Sequence, residues 1–185
     1  MAQFIPFSPN VEVTGQSILS FVNAIPGSPI AQQFMSDVLA ENNLNNIQVD
    51  NWYSQALWLN AFKEISTRYG NATLFSIGKA IPKNIPLPPE IKTLEAALNS
   101  IDAVYRTSHR NGEIGFYKLL SFNATEKKAT MKCKNPYPSA FDRGLIITIA
   151  RTFSPTSASL VRVELDESKP NRINGDDSCT YTITW

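Results

Sequence analysis

The last eleven residues of the chain carry the strongest constraint on its fold. They read Gly175-Asp-Asp-Ser-Cys-Thr-Tyr-Thr-Ile-Thr-Trp185, and from Cys179 onward every second residue is a threonine. Because successive side chains of a β-strand point to opposite faces, a period of two places four side chains on one face: Cys179, Tyr181, Ile183 and Trp185. The Asn174-Gly175 step just before them is a strong turn signal. The pattern predicts that the chain ends inside a sheet, with Trp185 against the core.

The 185 residues read as one domain, 1–185, with a helical half over 1–110 and a sheet-containing half over 111–185. In the helical half, apolar residues recur at helical spacing. They predict helices over 16–23, from Pro29, over 50–69 with Gly70 as the C-cap, over 72–80, and a long helix opened by Pro89-Glu90. The proline-rich stretch 81–89 predicts a non-helical connector.

The sheet-containing half changes to strand patterns. An antiparallel hairpin is predicted from 116–122 and 129–134, and further strands from 160–165 and 179–185. Between the two pairs, a helix carries apolar residues at four-residue spacing: Phe141, Leu145, Ile149 and Phe153. The order is therefore β-β-α-β-β, and helices followed by a small antiparallel sheet define an α+β fold.

Composition excludes several classes of function. With 17 Lys and Arg against 16 Asp and Glu, the net charge is +1, which offers no electrostatic footprint for nucleic acid or an anionic membrane. No segment has about 18 consecutive apolar residues, so a membrane span is excluded. The N-terminus lacks the pattern of a signal peptide, and two cysteines are too few for a disulfide scaffold, so we expect a cytoplasmic protein.

Two sets of residues are candidate metal or haem ligands. His109 is the only histidine and lies at the end of the long predicted helix. It is either an axial haem ligand or a cation placed favourably at a helix C-terminus. Cys133 and Cys179 are either zinc ligands or buried free thiols; a zinc site needs about four ligands, and only two sulfurs are available.

The segment Asn135-Pro-Tyr-Pro-Ser-Ala-Phe-Asp-Arg-Gly144 joins the hairpin to the following helix. One interpretation makes it a polar rim, in which Tyr137, Ser139 and Arg143 hold an anionic group. The other makes it a rigid turn, with Ser139 as a helix cap, Asp142 serving the helix dipole and Arg143 in a surface ion pair.

Aromatic residues of the helical half either line an apolar ligand pocket or pack in an ordinary core. They include Trp52, Trp58 and Phe62. The sequence contains no Ser-His-Asp set, no GxGxxG, no Walker loop and no paired-carboxylate motif, which argues against an enzyme.

The tail Asn171-x3-Gly175-x3-Cys179, followed by Tyr-x-Ile-x-Trp, resembles the end of 4-vinyl-reductase-type domains. These are distantly related to haem-nitric-oxide/oxygen binding (H-NOX) domains and to TRAPP trafficking subunits. The segment 135–144 and the β-β-α-β-β order fit as well, and the likeness covers mainly residues 105–185.

The resemblance implies an α+β domain with an apolar cavity between helices and sheet, a sensory or carrier role without catalysis, and frequent dimerisation. Asn171 stands where the family's tail has its first cysteine, so the resemblance does not imply a metal site in this chain. The haem-binding relatives use a helix-borne His and a Tyr-x-Ser-x-Arg motif. This chain offers His109 and Tyr137-x-Ser139-x3-Arg143, with the arginine two positions late.

We therefore predict a cytoplasmic, non-enzymatic module that binds a small apolar ligand and signals to a separate protein, without cofactor, nucleic acid or membrane span. Trp52, Trp58, Phe62 and Tyr105 are expected to form the cavity wall, and Tyr137, Ser139 and Arg143 its polar mouth. The first alternative is a homodimeric interaction module without ligand. The second is a haem-based gas sensor that uses His109.

Overall fold

The computed structural model describes residues 3–22, 29–85, 87–155 and 160–185 of the chain. Within these ranges the helices are α1 (Gly15–Val22), α2 (Pro29–Glu41), α3 (Gln55–Asn84), α4 (Leu94–Thr107) and α5 (Ser139–Phe153). The strands are β1 (Glu12–Thr14), β2 (Trp52–Ser54), β3 (His109–Arg110), β4 (Phe116–Asn123), β5 (Lys128–Lys134), β6 (Arg162–Leu165) and β7 (Cys179–Thr184). A 3-10 turn covers Arg172–Asn174. No helix in the described ranges is long and apolar enough to cross a membrane.

An antiparallel sheet in the order β4-β5-β7-β6 forms the C-terminal layer, and the α+β fold is confirmed. The predicted inward face of the tail is confirmed by burial: Cys179, Tyr181 and Ile183 are almost fully enclosed, and Thr180 between them is buried as well. Trp185 follows them into the core, where its ring stacks on Phe122 with centroids 5.0 Å apart. The inner face of this sheet packs against α4 and α5.

A second sheet, in the order β2-β1-β3, lies within the half that was predicted to be helical. Trp52 belongs to strand β2, so the predicted helix over 50–69 starts only at Gln55. The predicted long helix starts at Leu94 and ends at Thr107. His109 therefore lies beyond its end, in strand β3, where it pairs with Val13. Strands of two or three residues are too short to show a period of two, and their partners lie far away in the sequence.

Helix α3 is broken where the sequence predicts a cap. Gly70 has φ 75° and ψ 178°, a backbone conformation that favours glycine, and helical structure resumes after it. The second segment then runs through Pro82 to Asn84, into the stretch predicted as a non-helical connector. Proline lacks an N–H, so the helix continues here with one backbone hydrogen bond missing. Pro86 of that connector lies outside the described residues.

Two glycines let α3 and α5 cross in backbone contact. A Cβ atom on Gly78 would lie 2.1 Å from the carbonyl oxygen of Phe141, and one on Gly144 would lie 2.2 Å from that of Phe75. Contacts this short are impossible for a real side chain, so both positions require glycine. The close crossing fixes α5 between α3 and the sheet, and with it the position of the residues described below.

We predict that Gly78→Ala lowers the free energy of unfolding by about 1–3 kcal/mol, the usual cost of overpacking. The loss should appear although alanine has the better helix propensity, by about 1 kcal/mol. Chemical denaturation measures it. Ser76→Ala, at an exposed position of the same helix, should change stability by less than about 0.5 kcal/mol. Equal stabilities of the two variants would contradict the close crossing.

Candidate functional site

A cavity of about 90 Å³ lies where the helices meet β3 and β4. Its wall is mostly apolar and is built from separate parts of the chain. Helix α3 contributes Trp58 and Ile81, α4 contributes Ile101, Val104 and Tyr105, and α5 contributes Phe141, Leu145 and Ile149. The remaining polar lining residues include His109, Tyr117 and Tyr137. None of the described lining residues carries a carboxylate, an ammonium or a guanidinium group.

His109 and Tyr137 form a hydrogen-bonded pair in this lining. The Nδ1 atom of His109 lies 2.8 Å from the backbone carbonyl oxygen of Tyr105, and its Nε2 atom lies 2.7 Å from the hydroxyl of Tyr137. A carbonyl oxygen only accepts hydrogen bonds, so Nδ1 carries the proton. Burial lowers the pKa of His109 to about 4, so the ring is neutral at neutral pH. Nε2 is therefore an acceptor, and the Tyr137 hydroxyl donates to it.

The other two tyrosine hydroxyls of the lining are also engaged as donors. Tyr105 donates to the backbone carbonyl of Ile114, and Tyr117 donates to Oδ1 of Asp142 at 2.6 Å. Burial raises the pKa of both phenols well above 10, so they remain protonated. With all three tyrosine hydrogens engaged, the cavity offers little to an anion. Such a ligand would lose its hydration without compensation.

Gln55 lies beside this cluster and is fully buried at the start of α3. Its Nε2 atom is 3.5 Å from the Tyr137 hydroxyl oxygen, at the limit of a hydrogen bond. Its Oε1 atom finds no hydrogen-bond partner among the described residues. A buried amide oxygen without a partner costs free energy, so Gln55 is the least satisfied polar group near the cavity.

Behind the cavity wall lies a buried ion pair between Asp142 and Arg172, whose side chains are both 0% exposed. Arg172 also donates to the backbone carbonyls of Asn135 and Tyr137 at 2.7 Å each, and to the Asn135 side-chain oxygen. Asn135 Nδ2 donates to Asp142 at 3.1 Å. Since Tyr117 bonds Asp142 and the Tyr137 carbonyl accepts from Arg172, two lining residues are tied directly to this ion pair.

The structure brings together three of the residues predicted for the ligand site. Trp58, Tyr105 and Tyr137 all line the cavity. Phe62 does not line it, but packs behind it, with ring centroids 4.8 Å from Trp58 and 5.4 Å from Tyr137. Trp52 lies on the three-stranded sheet, where the Arg110 guanidinium sits 4.3 Å from the centre of its ring.

Neither Ser139 nor Arg143 lies at the mouth of the cavity. Ser139 is the first residue of α5, Pro138 occupies the cap position, and no side chain caps this helix, so Ser139 is not the predicted cap. Arg143 is exposed; its Nε atom donates to the backbone carbonyl of Val163 at 2.8 Å, and its guanidinium lies over Phe75. It forms no ion pair with any described residue, and the neighbouring Asp142 pairs with Arg172 instead.

Cys133 and Cys179 face each other across β5 and β7 as register partners, and both are free and buried. Burial raises the pKa of the Cys133 thiol well above 9, which disfavours the thiolate that metal binding requires. The sulfur of Cys179 accepts from Nε of Arg172 at 3.4 Å. The described part of the chain holds no group of three or more His, Cys, Asp or Glu side chains that could bind a metal.

Sequence reasoning missed Gln55, Tyr117 and Arg172. The one sequence signal that could have identified Gln55 as a buried polar residue is its inward position in the apolar stripe of α3. Tyr117 stood inside a correctly predicted strand, but its bond to Asp142 spans 25 positions. Nothing in the local sequence around Arg172 distinguishes it from a surface arginine.

The chain was compared with known proteins. No protein-family model and no curated protein matches it, whereas solved H-NOX structures share its fold. An H-NOX mutant from S. oneidensis in the Fe(II) state has a TM-score of 0.68 at 9% identity, covering 91% of this chain and 94% of that one. A K. algicida H-NOX mutant has a TM-score of 0.64 at 16% identity, covering 92% and 95%. A T. Tengcongensis H-NOX mutant has a TM-score of 0.65 at 11% identity, covering 92% and 96%.

These similarities establish an H-NOX-like fold for the chain. The predicted resemblance to H-NOX domains is confirmed at the level of the fold. The resemblance to 4-vinyl-reductase-type domains and TRAPP subunits stays a prediction.

We predict that Asp142→Asn destabilises the protein by about 3–5 kcal/mol, because it leaves the buried Arg172 guanidinium without a counter-charge. Arg68→Gln is the matched control. Arg68 pairs with Glu41 and Glu64 at the surface, with about half of its side chain exposed, and its loss should cost at most about 1 kcal/mol. Denaturant unfolding of both variants measures the difference. A cost of less than 1 kcal/mol for Asp142→Asn would contradict this role of the ion pair.

We predict that the stability of the protein depends on pH through His109. His109 has a pKa of about 4 when folded and an ordinary pKa of 6.5 when unfolded, so between these values the unfolded chain binds more protons. Stability is therefore highest above pH 6.5 and falls as the pH drops towards 4, by about 3 kcal/mol from this residue.

Denaturation of wild type and His109→Gln at several pH values tests this. His109 is the only histidine, so the variant has no imidazole and should lose this component of the pH dependence. Identical pH profiles for the two proteins between 6.5 and 4 would show that His109 is not buried in its neutral form.

Proposed function

We propose that this chain is a non-enzymatic sensory module that binds a small, uncharged, apolar molecule in the cavity between its helices and sheet. The observation that carries the proposal is the chemistry of the lining. The wall is apolar, its described residues bear no charge, and its tyrosine hydrogens are engaged within the protein.

Size narrows the class of ligand. The cavity measures about 90 Å³, whereas a dry engineered cavity of about 150 Å³ binds benzene or xenon. Without rearrangement, the site suits a molecule of a few heavy atoms. Binding would be driven by burial, at roughly 25 cal/mol per Å² of apolar surface removed from water.

The sensory part of the proposal is supported by the fold. One of the similar structures is an H-NOX protein from S. oneidensis in the Fe(II)NO state. We propose that ligand binding is signalled to a separate protein, and that the module acts in the cytoplasm and as a homodimer. If the purified protein is a dimer that never takes up a small molecule, the interaction module without ligand becomes the better description.

A haem-based gas sensor is the second candidate, because His109 lines the cavity of an H-NOX-like fold. Another similar structure comes from work on haem redox potential and porphyrin distortion. The residues of this chain do not fit haem as they stand, however. Sites for drug-sized ligands measure about 300–1,000 Å³, far more than this cavity. His109 Nε2 already accepts from Tyr137, and Arg143 points elsewhere, so the described lining contains no cation for the propionates.

Adding hemin to the full chain separates the two candidates. We expect no visible absorption band beyond that of free hemin. If a band appears in the wild type and is lost in His109→Ala, the haem sensor replaces our first proposal. Native and denaturing mass spectrometry of protein purified from its own host adds an independent measurement, since a bound molecule gives extra mass that disappears on denaturation.

We predict that the full chain binds 1-butanol at least about tenfold more tightly than butyrate, because the cavity has no partner for a carboxylate. Leu145→Phe, which fills the cavity, should weaken butanol binding by about tenfold or more. Ligand-detected NMR titration and the shift in Tm on adding butanol measure both effects.

The control for this substitution is Leu165→Phe. Leu165 is a partly buried leucine of β6 that does not line the cavity, so butanol binding should remain unchanged. Equal affinity for butanol and butyrate, or equal loss of binding in the two variants, would mean that this cavity is not the ligand site.

A further inference from the structure

Threonines and cations are the most frequent residues on the outer face of the four-stranded sheet, opposite the core. By alternation, the apolar residues of β5 and β7 face inward, and two sets of side chains face outward: Lys128, Thr130, Lys132 and Lys134 from β5, and Thr180, Thr182 and Thr184 from β7. Among these outward residues only Thr180 is buried. The edge strand β4 adds Phe116, Lys118, Ser121 and Asn123, which are register partners of outward residues of β5. The edge strand β6 adds Arg162 and Glu164. We call these residues the outer sheet face.

Most of its positive charge has no ion-pair partner within 4 Å among the described residues, although the carboxylates of Asp166 and Asp177 interact electrostatically with Lys128 and Lys132, respectively. Lys134 lies 3.3 Å from Asp177 and 3.8 Å from Glu113. By contrast, no ion pair with any described residue is formed by the other four cations of this face: Lys118, Lys128, Lys132 and Arg162. Because the whole chain has a net charge of only +1, this face concentrates positive charge that the rest of the surface balances.

Two of these cations repel each other within the fold. Lys118 and Lys132 are register partners across β4 and β5. Like charges directly opposite each other on one face of a sheet are destabilising. Lysines also protect exposed sheet edges from aggregation, but β5 is an interior strand, so that explanation does not cover Lys128 and Lys132. The arrangement costs stability in the isolated chain, and a bound anionic surface would relieve that cost.

We propose that the outer sheet face docks an acidic segment of a protein partner. Carboxylates would neutralise Lys118, Lys128, Lys132 and Arg162, and the half-buried hydroxyls of Thr182 and Thr184 add hydrogen-bond donors between the charged positions. A protein is favoured over nucleic acid because the chain as a whole lacks the strong positive charge of nucleic-acid binders. The outer sheet face lies on the opposite side of the sheet from the cavity.

The test is binding of a glutamate-rich peptide to the full chain at low ionic strength. An oligonucleotide of equal charge and anionic phospholipid vesicles serve as competing probes. Lys118→Gln/Lys132→Gln should weaken peptide binding by about tenfold or more, and added salt should weaken binding to the wild type. The Tm of the double variant Lys118→Gln/Lys132→Gln should be equal to or higher than that of the wild type, because the repulsion between the two lysines is removed.

The matched control is Lys63→Gln/Lys92→Gln, which removes the same charge from exposed positions outside this face. It should bind the peptide like the wild type. Loss of binding in the outer-face variant alone, with its Tm retained, supports the proposal. Equal loss in both variants, absence of peptide binding, or tighter binding of the oligonucleotide or the vesicles would overturn it.

Discussion

The buried ion pair between Asp142 and Arg172 is the interaction on which the C-terminal half of the molecule depends. Two opposite charges without access to water are tolerable only when further hydrogen bonds satisfy them. Here Asn135, Tyr117 and the backbone of the 135–138 segment supply those bonds. One charged pair thereby ties the first turn of α5 to the end of β5, to β4 and to the 3-10 turn before β7. The 135–138 segment is held rigid although it has no regular secondary structure.

That rigidity sets the chemistry of the cavity. The ion pair holds the Tyr137 carbonyl on one side of the backbone, and the Tyr137 hydroxyl meets His109 on the other. Asp142 and Arg172 neutralise each other behind the cavity wall. Neither charge therefore faces the cavity, and the described lining is neutral. The crossing at Gly78 and Gly144 holds α3 and α5, which both contribute to the cavity wall, at backbone distance from each other. A neutral, narrow, apolar space within an H-NOX-like fold is the basis for proposing a small uncharged ligand rather than haem.

The two faces of the same sheet differ in composition. The inner face supplies the packed core that supports α5. The outer face carries cations without an ion-pair partner among the described residues, two of them directly opposed, which contribute nothing to core packing. Strand periodicity separates the faces so completely that the inner one can serve stability while the outer one remains available for a partner. Sensing and signalling would then use different surfaces of one small layer.

The sequence alone determined the elements whose signal is local. The alternation from Cys179 to Trp185, the hairpin around residues 124–127, the four-residue spacing of α5 and the break at Gly70 each depend on neighbours within a few positions. Only the tertiary structure decided which distant residues meet. Asp142 pairs with Arg172 across 30 positions, and His109 meets Tyr137 across 28. The short strands β1 to β3 form only by pairing with one another. The side-chain periodicity of a helix or a strand can be recognised within a few neighbouring residues. A buried polar contact between distant residues depends on tertiary packing and does not change the local sequence pattern.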